Sequence, residues 1–260
     1  MPEKVITIAE RIAREAGEIV MRYHSCLDPD QVQYKGEIDI VTRADLESER
    51  HIVSRIRETL PHHTISAEEE VNEPAGAHHW IVDPLDGTTN FAHSLPVFSI
   101  SLGYLINGKL EAGVVHAPYL NETFTAVRGQ GAFLNHHPIR VSTRSRLKDA
   151  VLATGFCYHR KTVKDNNVDA FRRFVLDVQG MRRMGVASMD LCYVACGRFD
   201  GYWEPHLSPH DVAAGALVVL EAGGTVSDYL GGDDFMAMRR IVASNGILHS
   251  SLLERLDYIA

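Results

Sequence analysis

Trp80-Ile81-Val82-Asp83-Pro84-Leu85-Asp86-Gly87-Thr88-Thr89-Asn90 carries an apolar run straight into two carboxylates three residues apart, with a proline between them and Gly-Thr-Thr after them. Trp80 to Val82 reads as a strand, so Asp83 and Asp86 are expected at a strand end, where layered α/β folds commonly place ligands. Mg²⁺ prefers carboxylate and carbonyl oxygens in near-octahedral geometry while keeping several waters. Two aspartates on a stiff turn can share such an ion without enclosing it. Gly87 and the threonines suit the start of a helix, whose free N–H groups can receive a phosphate. The same residues also suit plain Asx turns around Pro84, so this stretch alone leaves both readings open.

Upstream, Val5, Ile8, Ile12, Ala16 and Ile19 recur at helical spacing and predict an amphipathic helix over residues 4 to 23. A second helix is expected after Thr42, through Leu46, Val53, Ile56 and Leu60, until Pro61 stops it. Thr64 to Ala67 reads as a short strand. Downstream, Val97 to Ile106 and Leu110 to His116 flank Asn107-Gly108, a strong hairpin signal, and a second hairpin is expected at Gly129-Gln130-Gly131. The second half predicts strands at Ala150 to Thr154, Phe199 to Trp203 and Ile241 to Ser244. Its helices are expected near Val168 to Val178, Ser188 to Cys196, Val212 to Ala222 and Leu248 to Tyr258. Helix and sheet layers in this order imply an α/β (α+β) layered fold. A lobe of residues 1–145 would carry most of the candidate metal ligands, and a lobe of residues 146–260 would supply Asp211 and the remaining contacts of the site.

The chain has 260 residues, 45% hydrophobic and 23% charged, which is ample for a large core. Twenty-six Lys and Arg against 34 Asp and Glu leave a formal charge of −8, which disfavours nucleic acid as a partner. An anionic substrate therefore needs local help from a metal or a helix N-terminus. Four cysteines without a CxxC pair do not make a disulfide scaffold, and Cys192 and Cys196 read as small buried side chains on a helix. No apolar run approaches the ~20 residues of a membrane span, and the start of the chain lacks a signal-peptide core, so a cytoplasmic location without membrane contact is expected. The 14 histidines include doublets at His62-His63, His78-His79 and His136-His137, read as solvated residues of polar connections.

Trp80 to His93 (WIVDPLDGTTNFAH) closely resembles the first signature of the inositol monophosphatase family. His210-Asp211-Val212-Ala213-Ala214-Gly215, ending in Glu221-Ala222-Gly223-Gly224, resembles its second. Asp39-Ile40-Val41-Thr42-Arg43-Ala44-Asp45, Ala67-Glu68-Glu69, Arg182-Arg183-Met184-Gly185 and Gly197-Arg198-Phe199-Asp200-Gly201 fall in the family's order, so the resemblance spans nearly the whole chain. It implies an αβαβα sandwich, usually dimeric, and a Mg²⁺-dependent, lithium-sensitive phosphatase with two or three ions per active site. Metal coordination passes to Glu68, Asp83, Asp86, Asp211 and the carbonyl of Leu85, with Asp83 bridging. The catalytic set is Glu68, Thr88 and Asp45, the last two orienting the attacking water. Thr42-x-x-Asp45 also fits a capping box that opens a helix. Phosphate is expected against the N–H groups of Gly87 and Thr88, and a substrate hydroxyl on Glu204, for which a surface acid beside Pro205 is the plainer reading. Gly185, Val186 and Ala187 would border the sugar or inositol, and Lys35 falls near the metals.

Three departures from the family pattern bear on the substrate. Ala67 replaces the glycine before the metal-binding glutamate, His210 replaces an aromatic residue before Asp211, and Pro205-His206-Leu207-Ser208-Pro209 is an unusually stiff link. The expected substrate is inositol monophosphate or a related polyol or sugar phosphate. Fructose 1,6-bisphosphate, histidinol phosphate and 3′-phosphoadenosine nucleotides are alternatives within the same chemistry. A bisphosphate would need a second cationic pocket, for which Arg160, Lys161, Lys164, Arg172 and Arg173 are candidates. A regulatory interaction protein on this fold is the alternative of a different class.

Overall fold

The computed structural model describes residues 2–24, 26 and 32–256. Helix α1 (Pro2–Tyr23) buries Val5, Ala9, Ile12, Ala13, Ala16 and Val20 along one stripe, with Ile8 and Ile19 at its margins. A two-stranded hairpin, β1 (Val32–Tyr34) and β2 (Ile40–Thr42), leads into helix α2 (Arg43–Thr59). Thr42 caps α2: its hydroxyl accepts from the Ala44 N–H, while Asp45 accepts from the Thr42 N–H. The predicted capping box is therefore present, and α2 ends one residue before Leu60, short of Pro61.

Strands β3 (Thr64–Ala67) and β4 (His78–Asp86) pair in parallel. After the five-residue helix α3 (Thr88–Ala92), strands β5 (Ser99–Ile106), β6 (Lys109–Ala117), β7 (Glu122–Val127), β8 (Gly131–Leu134) and β9 (His137–Pro138) extend one seven-stranded sheet by antiparallel pairing. Both predicted hairpins form. At the first, Asn107 and Gly108 take φ of 49° and 78°, which the preferred two-residue hairpin turn requires.

A 3₁₀ turn (Leu147–Asp149) precedes β10 (Val151–Thr154), helix α4 (Val168–Val175), β11 (Gly180–Arg182), helix α5 (Ala187–Ala195) and β12 (Gly201–Pro205). Helix α6 (Pro209–Glu221), β13 (Thr225–Ser227), α7 (Phe235–Met238), β14 (Arg240–Ser244) and α8 (His249–Leu253) follow. The second sheet has the order β11-β10-β12-β14-β13. The predicted closing helix stops at Leu253, and the Asp257 and Tyr258 end of that expectation lies outside the described residues.

Three apolar clusters define the layering. Helices α1 and α2 pack on one face of the first sheet through Ile12, Ile52, Ile56 and Trp80. Helices α5 and α6 lie between the two sheets, joining Val115 and Phe124 on one side to Tyr202 and Ala243 on the other. Phe174 of α4 and Leu252 of α8 cover the outer face of the second sheet around Trp203. This is the αβαβα sandwich. Among the described residues no helix is long and apolar enough to cross a membrane.

Helix α6 lies unusually close to the first sheet. Gly103 of β5 and Gly113 of β6 are direct partners across the strands. A Cβ on Gly113 would meet the Ala214 carbonyl oxygen at 2.9 Å, and one on Gly103 would meet the Ala213 Cβ at 2.9 Å. The paired glycines make a smooth seat that fixes the height of α6.

Several histidines depart from the sequence reading. His78 and His79 lie within β4 rather than in a connection, and His79 is buried. His63 stacks on His78 and Tyr104, with ring centroids 4.8 and 5.4 Å apart, and accepts from the Trp80 indole N–H at 3.0 Å. Flanking rings partly cover His63 and His78, a relation that the doublets do not reveal.

Candidate metal centre

Asp83 and Asp86 lie at the C-terminal end of β4, as the sequence suggests, and Asp86 is its last residue. Asp83 is opposite Ser101 on β5 and Asp86 is opposite Ser99, so three steps along β4 match two along β5. That extra residue is a β-bulge. In a regular strand, residues three apart point to opposite faces; the bulge turns both carboxylates to the same face. Pro84, which has no N–H for the ladder, fits in the irregular register. The Leu85 N–H donates to Asp83 Oδ1 at 3.0 Å, so the Asx turn of the plainer reading is present as well.

The third carboxylate arrives on α6. Pro209 occupies the first turn, Ser208 is the N-cap, and its N–H donates to Asp211 Oδ2 at 2.5 Å. The helix therefore starts three residues earlier than expected, and the stiff link is in large part its capped first turn. Asp83, Asp86 and Asp211 each bring a carboxylate oxygen within 4.8 Å of the others. Asp83 and Asp86 are buried, and Asp211 is partly exposed. Among the described residues no lysine or arginine forms an ion pair with any of the three. Burial, and then repulsion from Glu68, Asp86 and Asp211, holds Asp83 above the ordinary carboxylate range; burial and then Asp211 do the same for Asp86, and burial does so for Asp211.

Glu68 follows β3 directly and stays outside this trio. Its side chain is 36% exposed, and Lys35 Nζ lies 3.5 Å from it and 2.5 Å from Glu69. Its carboxyl is nevertheless pushed up, first by burial and then by Asp211, while Lys35 opposes the shift. Lys35 is thus brought to the site's rim, as its position suggested.

Thr88 Oγ1 donates to Asp45 Oδ1 at 3.0 Å and to the Leu85 carbonyl at 3.1 Å. Asp45 therefore serves both the helix cap and Thr88. Although Thr42 and Thr88 donate to it, burial prevails and raises its carboxyl to about 6. The Leu85 carbonyl keeps a second lone pair beyond the one engaged by Thr88. Gly87 needs its glycine: its φ is 92°, and a Cβ would meet Val186 Cγ2 at 2.7 Å.

Asp86 Oδ2 also accepts from the Ser188 N–H at 2.8 Å, tying the acidic group to the start of α5. Gly185, Val186 and Ala187 therefore border it. The Val186 side chain is wholly buried against Gly87, leaving its backbone for any ligand contact. Asn90 clamps the edge by donating to the Val97 and Met184 carbonyls, both at 2.9 Å.

Glu204 is not the surface acid of the plainer reading. It is 8% exposed, accepts from the Tyr202 hydroxyl at 2.7 Å, and lies against the Gly155 backbone where no Cβ would fit. Burial pushes its carboxyl up to about 8. Behind it, Asn167 donates to Thr154 Oγ1 (2.7 Å) and the Gly155 carbonyl (2.6 Å) and accepts from the Trp203 indole (2.7 Å). His210 is pushed down to about 4 by burial, so it is neutral beside Asp211 near pH 7. Its ring nitrogens face Ser66 Oγ at 3.2 Å and Ser208 Oγ at 3.4 Å.

The candidates for a second cationic pocket are largely committed elsewhere. Lys161 pairs with Glu37, Arg172 with Asp169, Arg160 binds the Cys157 carbonyl, and Arg173 binds the Arg255 carbonyl. Sequence reasoning also passed over Ser48 and Glu49 on α2. Ser48 Oγ donates to the Pro84 carbonyl at 2.8 Å, and Glu49 is fully buried. Their only sequence signal is polar residues on the apolar face of an amphipathic helix.

Comparison with known proteins agrees with this fold. The sequence profile of the inositol monophosphatase family matches residues 1–259. A Pseudomonas aeruginosa protein named Nus factor SuhB is 44% identical over 257 residues, covering 96% of this chain and 95% of that protein. The structure of an inositol monophosphatase from Anabaena (Nostoc) sp. PCC 7120 superposes with a TM-score of 0.89 at 40% identity, over 97% of this chain and 95% of that one. The extragenic suppressor protein suhB from Bartonella henselae gives a TM-score of 0.93 at 38% identity, over 99% and 100% of the two chains.

Proposed function

The chain belongs to the inositol monophosphatase family, and on that premise we propose that it hydrolyses a small phosphate monoester at a Mg²⁺ cluster held by Asp83, Asp86, Asp211, Glu68 and the Leu85 carbonyl. The observation that carries this reading is the meeting of three carboxylates from β4 and α6 within 4.8 Å, beside the Thr88–Asp45 pair. The donor set fits the ion. All side-chain donors are hard oxygens, with no imidazole or thiolate among them, as Mg²⁺ requires. The repulsion that raises their pKa values becomes attraction when a hard dication lies among them. Two or three ions match the four carboxylates.

Bound Mg²⁺ supplies charge neutralisation at the phosphoryl and leaving oxygens and lowers the cost of deprotonating water. The chain's own residues do the rest. Thr88 Oγ1 accepts a hydrogen bond from the attacking water while donating to Asp45, so the water's proton moves toward Asp45 as its oxygen bonds to phosphorus. A carboxyl raised to about 6 is better matched to that task near neutral pH than an ordinary aspartate. The Gly87 and Thr88 N–H groups orient the phosphate. In-line attack breaks the bond to the alcohol oxygen without a phosphoenzyme and inverts phosphorus. Glu204 accepts from a substrate hydroxyl, which favours a polyol or sugar phosphate such as inositol monophosphate. Lithium inhibition and a homodimer accompany this reading.

The test is phosphate release from inositol 1-phosphate, fructose 1,6-bisphosphate, histidinol phosphate and 3′-phosphoadenosine 5′-phosphate. Each is run with Mg²⁺, with EDTA, and with Asp83→Asn. Metal-dependent turnover lost in Asp83→Asn supports the phosphatase, and the best substrate identifies the alcohol. Silence across the panel favours the second reading, a regulatory interaction protein on this fold; relatives of this chain carry the name Nus factor SuhB. A pull-down with Asp83→Asn then shows whether a partner is retained without the acidic cluster.

A further inference from the structure

Helix α2 turns Asp45, Ser48 and Glu49 to its buried side, and each reaches a different part of the acidic site. Asp45 meets Thr88, and Ser48 holds the Pro84 carbonyl at the bulge. Glu49 reaches the segment after β3. Its Oε2 accepts from the Glu69 N–H at 2.7 Å, and its Oε1 accepts from the Glu70 and Val71 N–H groups at 2.7 and 2.9 Å. Three consecutive amides thus wrap one carboxylate, an anion nest filled by the chain's own side chain.

We propose that Glu49 is the positioning residue for Glu68, fixing the direction in which Glu68 addresses the Asp83–Asp86–Asp211 group. Glu68 is the residue immediately before the wrapped amides and immediately after Ala67, whose N–H is bound to the Val71 carbonyl at 2.6 Å. Its backbone is therefore held on both sides. Stability alone does not call for this arrangement. Glu68 and Glu70 are exposed and Glu69 and Val71 are partly so, which leaves water a path to this segment. Burying a whole carboxylate to do so is costly unless its hydrogen bonds offset the loss of hydration. What burial adds is a fixed geometry. From outside, Arg50 pins the same segment by donating twice to Glu70, at 2.9 and 2.6 Å.

This inference rests on the reading of the acidic group as a Mg²⁺ site, and the experiment separates the two. Mg²⁺ binding is measured by calorimetry, without substrate, for the wild type, Glu49→Gln, Glu68→Gln and the double variant. Glu49→Gln keeps the shape of the side chain but turns an N–H₂ toward an amide donor. The expected result is a 10–100-fold loss of affinity, on the order seen when a residue that orients a metal ligand is removed, at the site that Glu68→Gln impairs. The double variant is expected to bind no more weakly than Glu68→Gln alone. Val53→Ala, a core change on the same helix, is expected to lower Tm and leave Mg²⁺ binding as in the wild type. In the unmodified protein, the Glu69, Glu70 and Val71 amides are expected to resist hydrogen exchange despite their surface position. Additive losses in the double variant, wild-type affinity in Glu49→Gln, or unprotected amides would each overturn the positioning role while leaving the metal site standing. A wild type that binds no Mg²⁺ would remove both.

Discussion

Replacing Gly113 by alanine tests whether the glycine seat sets the geometry of the proposed metal site. The new Cβ would lie 2.9 Å from the Ala214 carbonyl oxygen, 3.1 Å from its Cα and 3.3 Å from its carbonyl carbon, where ordinary contact begins at 3.4 Å. All three obstacles are backbone, so no side-chain rotation relieves them. Helix α6 must rise by about 0.5 Å, and Asp211 lies one turn before Ala214 on that rigid helix. Overpacking of this kind costs about 1–3 kcal/mol. At the proposed Mg²⁺ site, a carboxylate displaced by half an ångström would lose part of its coordination, and about tenfold weaker Mg²⁺ binding, roughly 1.4 kcal/mol, is the expected consequence. Calorimetric Mg²⁺ titration and thermal unfolding of the metal-free protein measure the two effects separately. Ile12→Val, a core change in α1 costing about 0.5–1.5 kcal/mol, is the control and is expected to leave Mg²⁺ affinity unchanged. A Gly113→Ala protein that is destabilised but binds Mg²⁺ as the wild type does would refute the link between seat and site. Unchanged stability would refute the close packing itself.

Asp83→Asn is expected to raise the Tm of the metal-free protein at pH 7, because it removes a carboxyl that burial, and then repulsion from Glu68, Asp86 and Asp211, holds well above its ordinary range, while any rise in Tm on adding Mg²⁺ is expected to disappear. His116 is buried against α1 and its pKa is pushed down to about 4 by burial. The unfolded state thus binds the extra proton between about pH 6.5 and 4, and stability falls with falling pH across that window, by up to about 3 kcal/mol. Urea unfolding of His116→Gln is expected to show a flatter acid limb. Asn167→Ala would leave the Trp203 indole and two acceptors at the Glu204 wall unmatched, costing roughly 2–4 kcal/mol. Asn167→Gly, which relieves the φ of 68° but restores no hydrogen bond, is expected to recover only a little of that loss in denaturant titrations.

Much of the site was legible because its side chains lie in short runs with strong local signals. Asp83-Pro84-Leu85-Asp86-Gly87 announces an acidic turn, Thr42-x-x-Asp45 a helix start, and Asn107-Gly108 a hairpin. The bulge was not legible, because it exists only in the register between β4 and β5, which no local pattern of β4 contains. Ser208-x-x-Asp211 with Pro209 was a helix-start signal in plain view, masked by the two prolines that made the segment look like a rigid connector. Strands β11 and β13 span three residues each, too few for alternation to register. Glu49 left only a faint mark, a carboxylate on the apolar face of an amphipathic helix, and only the amides it gathers show what it does.

The place of α6 between the sheets also has a consequence for biosynthesis. The first sheet is fully specified once Pro138 has been made, but α6, which seats on its inner face at Gly103 and Gly113, begins at Pro209, 71 residues later. At about 5–20 residues per second on the ribosome, that interval is roughly 4–14 s. During it, the apolar face around Gly103 and Gly113 has no partner from its own chain. The nascent first half is therefore the species most prone to self-association, and a chaperone that holds it until α6 emerges would raise the yield more than any increase in the stability of the finished fold.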